Sequence, residues 1–289
     1  MRGRAPARDC FAGLAGRGRA VRSSAAMSNF SAPIREYMSA PVVVVSADDS
    51  LESVLGTLRQ RRITSVVVVA RDGRAVGVLS YSDLLQIGRM FSPFVPGGGL
   101  LRLPAMVAGD VVRPAILHAE PETSVAAAAR QLVERAVQRL YVLDLDWAVG
   151  VFSTRDLMRA IATVGLSSPI GAVMRAPVPV LSASDPASSA INLVHGQSGA
   201  CVAIVDGGVL VGAVTQQEAL AARELPKDTP AGEIAGHSVI CLDARTPVDR
   251  AARFALATRA RRILVTEQGE LRGSLSGLDF AAAVVAATA

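Results

Sequence analysis

Lysine is nearly missing from this chain. Lys227 is the single lysine among 289 residues, so arginine supplies almost all of the 30 basic side chains, a bias that reads as GC-rich coding rather than as a mechanism. Cysteine is equally sparse. Cys10, Cys201 and Cys241 are odd in number and lack metal-type spacing, which argues against a disulfide framework and suits a reducing compartment. Cys201 and Cys241 fall on or beside expected buried strands, where a thiol acts as a small hydrophobe. The three histidines, His118, His195 and His237, share no equivalent position, which argues against a metal centre or catalytic triad. The strongest apolar runs, residues 66–70 and 280–289, are far shorter than the roughly 20 residues that span a bilayer. Gly97-Gly98-Gly99 lacks the following G-K-[ST] of a phosphate-binding loop and reads as a flexible connection.

What is present is a hydrophobic fraction of 51%, enough for a substantial core and, at this length, for two domains. The formal charge of +5 is misleading. Arg2, Arg4, Arg8, Arg17, Arg19 and Arg22 against Asp9 account for all of it, leaving the rest of the chain neutral. A nucleic-acid surface therefore has no charge excess behind it in the folded part. Residues 1–33 read as a basic, disordered extension. Its first 26 residues fit an organelle transit peptide, but translated sequence upstream of a start at Met27 is the favoured reading.

A glycine followed by a short apolar step to Ser or Thr, with an acid three positions further on, occurs four times. The copies are Gly77 to Ser80 and Asp83, Gly150 to Ser153 and Asp156, Gly212 to Thr215 and Glu218, and Gly273 to Ser276 and Asp279. Ser50, Thr123, Asp185 and Thr246 each lie 27 residues before the local glycine, and each is a favoured helix N-cap. Pro186 and Pro247 are then expected in the first helical position. Apolar residues at helical spacing follow, for example Leu51, Val54, Leu55 and Leu58. A β-branched run, a turn such as Asp72-Gly73 or Gly207-Gly208, and the glycine motif come next, which predicts a hairpin. The acid then opens another helix, and a helical turn plus a first strand precede each cap. Self-similarity of this kind marks an array of one supersecondary unit, here β-α-β-β-α.

In length, order and closing motif, this unit resembles the CBS domain, over roughly residues 34–286. The resemblance implies an α/β fold in which the motifs work in pairs. The four units, about 34–90, 106–164, 169–224 and 229–286, would form two Bateman modules, 34–164 and 169–286, that assemble as a flat disc. The layout is similar to the gamma subunit of AMP-activated protein kinase and to bacterial stand-alone CBS proteins. It implies a regulatory, non-catalytic sensor that binds AMP, ADP or ATP between paired motifs, with S-adenosylmethionine or a cyclic dinucleotide as lesser alternatives. A protein partner or a homodimer through CBS surfaces would follow, with no nucleic acid and no membrane, and with the cytoplasm as the expected compartment unless residues 1–26 direct the chain to an organelle.

The resemblance further implies that the closing acid binds ribose hydroxyls and that the Ser or Thr before it holds ribose or phosphate. A carboxylate accepting from a vicinal diol is chemically sound, and free N–H groups at the following helix start favour phosphate. The same residues read as ordinary N-caps, which makes a scaffold with vestigial sites the alternative. Ser153, Thr154, Arg155 and Asp156 form the richest copy, because Arg155 adds a permanent cation. Ser80, Ser82 and Asp83 lack one, Ser276 and Asp279 flank a bare Gly277-Leu278, and Thr215 precedes Glu218, whose longer arm puts ribose binding in doubt. Arg139, and Arg261 with Arg262, precede a strand where the resemblance puts phosphate contacts. The first module is the expected ligand site. Trp147, beside a turn, is expected to pack on the module surface or at a partner contact.

Overall fold

The computed structural model describes residues 30–91, 101–112, 116–144, 147–195, 201–237, 239–260 and 262–289. The 1–26 segment, with Cys10, the 92–99 connection and Arg261 lie outside the described residues. Four units follow one another. The first has a leading 3-10 turn at Ile34–Glu36, then β1 (Val44–Ser46), α1 (Leu51–Arg61), β2 (Ser65–Val69), β3 (Ala75–Ser80) and α2 (Tyr81–Met90). The second has a turn at Ala108–Val111, β4 (His118–Ala119), α3 (Val125–Glu134), β5 (Arg139–Asp144), β6 (Trp147–Ser153) and α4 (Thr154–Val164). The third has a turn at Ile170–Ala172, β7 (Val180–Ser182), α5 (Ala187–Val194), β8 (Val202–Asp206), β9 (Val209–Val214) and α6 (Gln216–Ala221). The fourth has a turn at Ala231–Ile234, β10 (Ile240–Asp243), α7 (Val248–Thr258), β11 (Ile263–Glu267), β12 (Glu270–Leu275) and α8 (Gly277–Ala287).

Each unit makes one three-stranded sheet, its first strand parallel to the second across a helix and the second antiparallel to the third. In all four hairpins the register slips by one residue directly after the partner of the motif glycine, at Val68/Val69, Val142/Leu143, Ile204/Val205 and Val265/Thr266. The repeat is therefore exact to the level of a bulge. Helix starts differ from expectation by one residue in three units. Ser50 does cap α1, but Ser124 rather than Thr123 caps α3, through its hydroxyl to the Ala127 N–H at 3.2 Å. Pro186 and Pro247 occupy the N-cap itself, with extended backbone, instead of the first helical position, so Asp185 and Thr246 stand outside their helices.

The middle strands are β-branched because they are covered on both faces. Val66 and Val68 point into a core built from α1, α2 and the helices of the third unit, including Leu55, Leu84, Ile191 and Leu220. A second core joins the second and fourth units through Leu132, Phe152, Ile161, Ala251, Phe280 and Val284. On the opposite faces, sheets meet within each module. Ser65 and Tyr141 share a hydrogen bond of 2.7 Å between the first and second units, and Ala203 packs with Leu264 between the third and fourth. Contacts thus close a cycle from first to second, second to fourth, fourth to third and third to first. Arginines tie this cycle across helix ends, where carbonyls lack partners. Arg59 donates to Leu220 O at 3.2 Å, Arg253 to Ala162 O at 2.9 Å, and Arg130 to Thr288 O at 3.3 Å.

The leading turns do not pack in their own units. Ile34 N–H donates to Thr123 O and Ser39 exchanges two backbone hydrogen bonds with Val151, so the first unit's turn lies on the second unit. In return, Ala108 and Gly109 N–H donate to Asp49 O and Ala47 O of the first. The third and fourth units trade turns in the same way, through Ile170 to Thr246 O and Ala231 to Asp185 O. The exchange also corrects the extension expected to end at residue 33. Phe30 is fully buried in the core of the second and fourth units, and its carbonyl accepts from Ala126 N–H at 3.0 Å. Phe30→Ala is expected to lower unfolding free energy by about 3–5 kcal/mol, the cost of a buried aromatic truncation, as a reduced midpoint in urea.

Candidate functional site

Each closing turn folds the same way locally. In the second unit, the Ser153 N–H and hydroxyl both donate to Oδ2 of Asp156, at 2.7 and 2.6 Å. Ser80 does so to Asp83 at 2.9 and 2.6 Å, and Ser276 to Asp279 at 2.6 and 2.8 Å. Thr215 donates from its N–H to Glu218 Oε2 at 3.0 Å and from its hydroxyl to the same oxygen. Such reach-back satisfies a donor at the helix start that has no partner within the helix. One oxygen of every acid is therefore committed to the fold, and chemistry with a ligand falls to the other.

The second oxygens differ. Asp156 Oδ1 accepts from Ser39 Oγ at 3.0 Å and from Arg159 Nη1 at 2.7 Å. Asp279 Oδ1 accepts from Arg175 Nε at 2.9 Å. Ser39 and Arg175 each follow a methionine, Met38 or Met174, in an exchanged leading segment, and each reaches the acid of its partner unit. The motif glycines make room for those segments. A Cβ on Gly150 would stand 2.8 Å from Met38 Sδ, and one on Gly273 would stand 2.4 Å from Arg175 O. Close approach is thus by the neighbouring unit's chain at these two positions. Glu218, the longer acid, lies against Gly236, where a Cβ would come within 3.0 Å of Oε1. The third unit fits its extra methylene because the segment facing it has no side chain there.

A cleft of about 1040 Å³ opens where the closing turns converge. Its walls hold Arg62, Arg135, Arg139, Arg155, Arg159 and Arg262 against the carboxylates of Asp83 and Asp156. Of the residues expected at a site, the structure brings together Ser80, Ser82, Asp83, Arg139, Ser153, Thr154, Arg155, Asp156, Thr215 and Arg262. Glu218, Ser276 and Asp279 are not among the residues lining this cleft. Most of the lining comes from the first module, and His195, Gln216, Gln217 and Gly277 extend it into the second.

The electrostatics follow from crowding of guanidinium groups. Arg155 is held below the usual arginine range by burial and then by Arg159 and Arg259, with Asp156 opposing. Arg262 moves the same way, chiefly through burial. Burial raises the Tyr141 phenol, while Arg139 and the bond to Ser65 pull it down. Arg139 also donates to Thr64 Oγ1 across the sheet pair. This lining suits an anion with hydroxyl groups. Among the described residues, no group of His, Cys, Asp and Glu could hold a metal ion.

Arg62, Arg135, Arg159, Ser39 and Tyr141 were not anticipated. Arg62 takes a left-handed conformation, φ 55°, as the C-cap of α1, and Ala136 (φ 52°) and Arg259 (φ 57°) repeat it in the second and fourth units. The arginine-rich ends of the first helices carry that signal. Arg159, one turn after Asp156, has no counterpart in the other copies. Trp147 is 53% exposed and its ring edge covers Gly73, which places it on the surface between two hairpins of one module.

Gly277 lines the cleft but serves packing. A Cβ there would stand 2.2 Å from Thr154 Oγ1, because the starts of α4 and α8 abut. Gly277→Ala is expected to cost about 1–3 kcal/mol through overpacking. Adding Thr154→Gly should return part of that loss, seen as a favourable coupling in a denaturation double-mutant cycle.

The CBS domain family model matches residues 34–89, 108–163 and 170–224. Among curated proteins, the chain is 25% identical over 152 residues to the uncharacterized protein MJ1426 of Methanocaldococcus jannaschii, covering 44% of this chain and 90% of that one. It is 28% identical over 164 residues to the chloroplastic CBS domain-containing protein CBSX1 of Arabidopsis thaliana, covering 47% and 70%. Among solved structures it is similar to MJ1225 of M. jannaschii, a proposed archaeal homologue of the AMP-activated kinase gamma subunit. That similarity has a TM-score of 0.70 at 14% identity and covers 86% of this chain and 99% of that one. Residues 229–286 fall outside the matched spans, yet they repeat the same elements, the same bulge and the same closing turn. With three units matched and the fourth built alike, this chain belongs to the CBS-domain family.

Proposed function

We propose that this chain is a non-catalytic regulatory sensor that binds an adenine nucleotide of the AMP, ADP or ATP class between the two units of its first module, residues 34–164. One observation carries the reading. A single cleft gathers two hydroxyl-and-carboxylate turns, Ser80 with Asp83 and Ser153 with Asp156, beside six arginines. Carboxylates suit a sugar diol and guanidinium groups suit phosphoryl oxygens, so the two ends of a nucleotide both find partners. A sulfonium such as S-adenosylmethionine meets the wrong sign of charge.

Because Thr215, Gln217 and Arg262 reach the same cleft from the second module, a ligand here would favour one arrangement of the modules over another. That difference in affinity between states is what a regulator needs. A protein partner or second copy would read the change, in the cytoplasm or in an organelle if residues 1–26 act as a transit peptide. No helix among the described residues is long and apolar enough to cross a membrane. The scaffold reading applies best to the second module, where Gly277 abuts Thr154 and Glu218 packs on Gly236.

Thermal denaturation of the purified chain with AMP, ADP, ATP and S-adenosylmethionine tests this. A nucleotide at 100 times its Kd should stabilise the fold by about 2.7 kcal/mol. Absence of any shift at millimolar nucleotide would favour the scaffold. Arg155→Ala removes a cleft cation with no structural hydrogen bond assigned to it, and it should weaken nucleotide binding roughly 10- to 100-fold in calorimetry, the worth of a charged contact of about 1.5–3 kcal/mol.

A further inference from the structure

The carboxylate of Asp156 is 1% exposed and its acceptor positions are full. Oδ2 takes both donors of Ser153, and Oδ1 takes Ser39 Oγ and Arg159 Nη1. A carboxylate offers about four acceptor sites, so a sugar diol can reach this one only by displacing a donor. Ser153 is the cap of α4. The backbone of Ser39 is held by paired bonds to Val151, both 2.9 Å, which keep its hydroxyl beside Oδ1. Arg159 is different. Its side chain is 47% exposed on the cleft wall, held by Asp156 and by the Tyr37 carbonyl at 3.1 Å.

Removing Arg159 from Asp156 strips a buried anion of its cation, a costly step unless something compensates. Two hydroxyl donors from a neutral nucleoside replace the hydrogen bonds but not the charge. A phosphorylated ligand brings its own anion into a wall that already holds Arg135, Arg139 and Arg155, and Arg159 can turn to it. We infer that Arg159 is a specificity-determining latch, closed on Asp156 until the phosphoryl group of the ligand draws it away and opens the carboxylate to the sugar. The inference rests on the adenine-nucleotide reading and adds to it a requirement for phosphate before the sugar is bound. Asp83 and Asp279 have no arginine one turn later, at Gln86 and Ala282, so the device belongs to the second unit.

Calorimetry of the full chain with adenosine and AMP tests it, using wild type and Arg159→Ala. In wild type AMP should bind about 100-fold or more tighter than adenosine, from two or more charged contacts. Arg159→Ala should bind adenosine about tenfold tighter than wild type does, while binding AMP more weakly. An arginine that merely touched phosphate would leave adenosine affinity unchanged when truncated. Should the alanine variant fail to fold, Arg159→Lys serves instead. It keeps the charge but lacks the planar fork, and it should raise adenosine affinity by a smaller, measurable factor. AMP binding in wild type with adenosine affinity unmoved by changes at Arg159 overturns the latch alone. No binding of AMP at all overturns the nucleotide reading with it.

Discussion

Everything in this molecule hangs on the exchange of leading segments between paired units. A chain segment from one unit lies across the closing strand of its neighbour, hydrogen-bonded there and pressed against the motif glycine. That contact sets the spacing of the two sheets, buries Phe30 and Ile34 in a core to which their own unit contributes little, and delivers Ser39 to Asp156 and Arg175 to Asp279. The acids are then poised by residues from more than a hundred positions away in sequence. Packing and site chemistry share one cause.

Much of this was legible in the residues because the unit is short, local and repeated. A helix pattern after a cap, a β-branched run, a turn and a glycine are features of neighbours along the chain, and four copies in register let each support the others. What could not be read is what depends on pairing. Thr123, Asp185 and Thr246 are good caps by type, yet Ser124, Pro186 and Pro247 take the position, because the capping strength of a residue does not decide where an extended segment ends. The glycine of each motif is legible as a repeat landmark, but not that at Gly150 and Gly273 it yields space to a segment of the neighbouring unit. The signal was present in part. Met38-Ser39 and Met174-Arg175 recur upstream of alternate units, which marks a pairing of odd with even copies.

The cleft shows how near-symmetry becomes asymmetry through single side chains. Thr154 and Gly277 are equivalent positions that touch, so bulk on one side demands its absence on the other. Glu218 and Gly236 strike the same bargain in the third unit. Arginine occupies helix ends and a strand start in the first module, where Arg62, Arg135 and Arg139 concentrate positive charge, while Cys201 holds the corresponding strand entry in the third unit. Four copies of one turn therefore present different electrostatic faces to a common centre.

The traded segments also define what can be inherited. A single unit cut from this chain would leave behind the stretch that covers its closing strand and carry off the stretch that covers its neighbour's. Each half would expose a strand edge and an apolar face at once. Duplication, loss or grafting of one unit is thus penalised, whereas a pair moves as a closed object with its covers intact. The smallest self-contained piece of this architecture is two units.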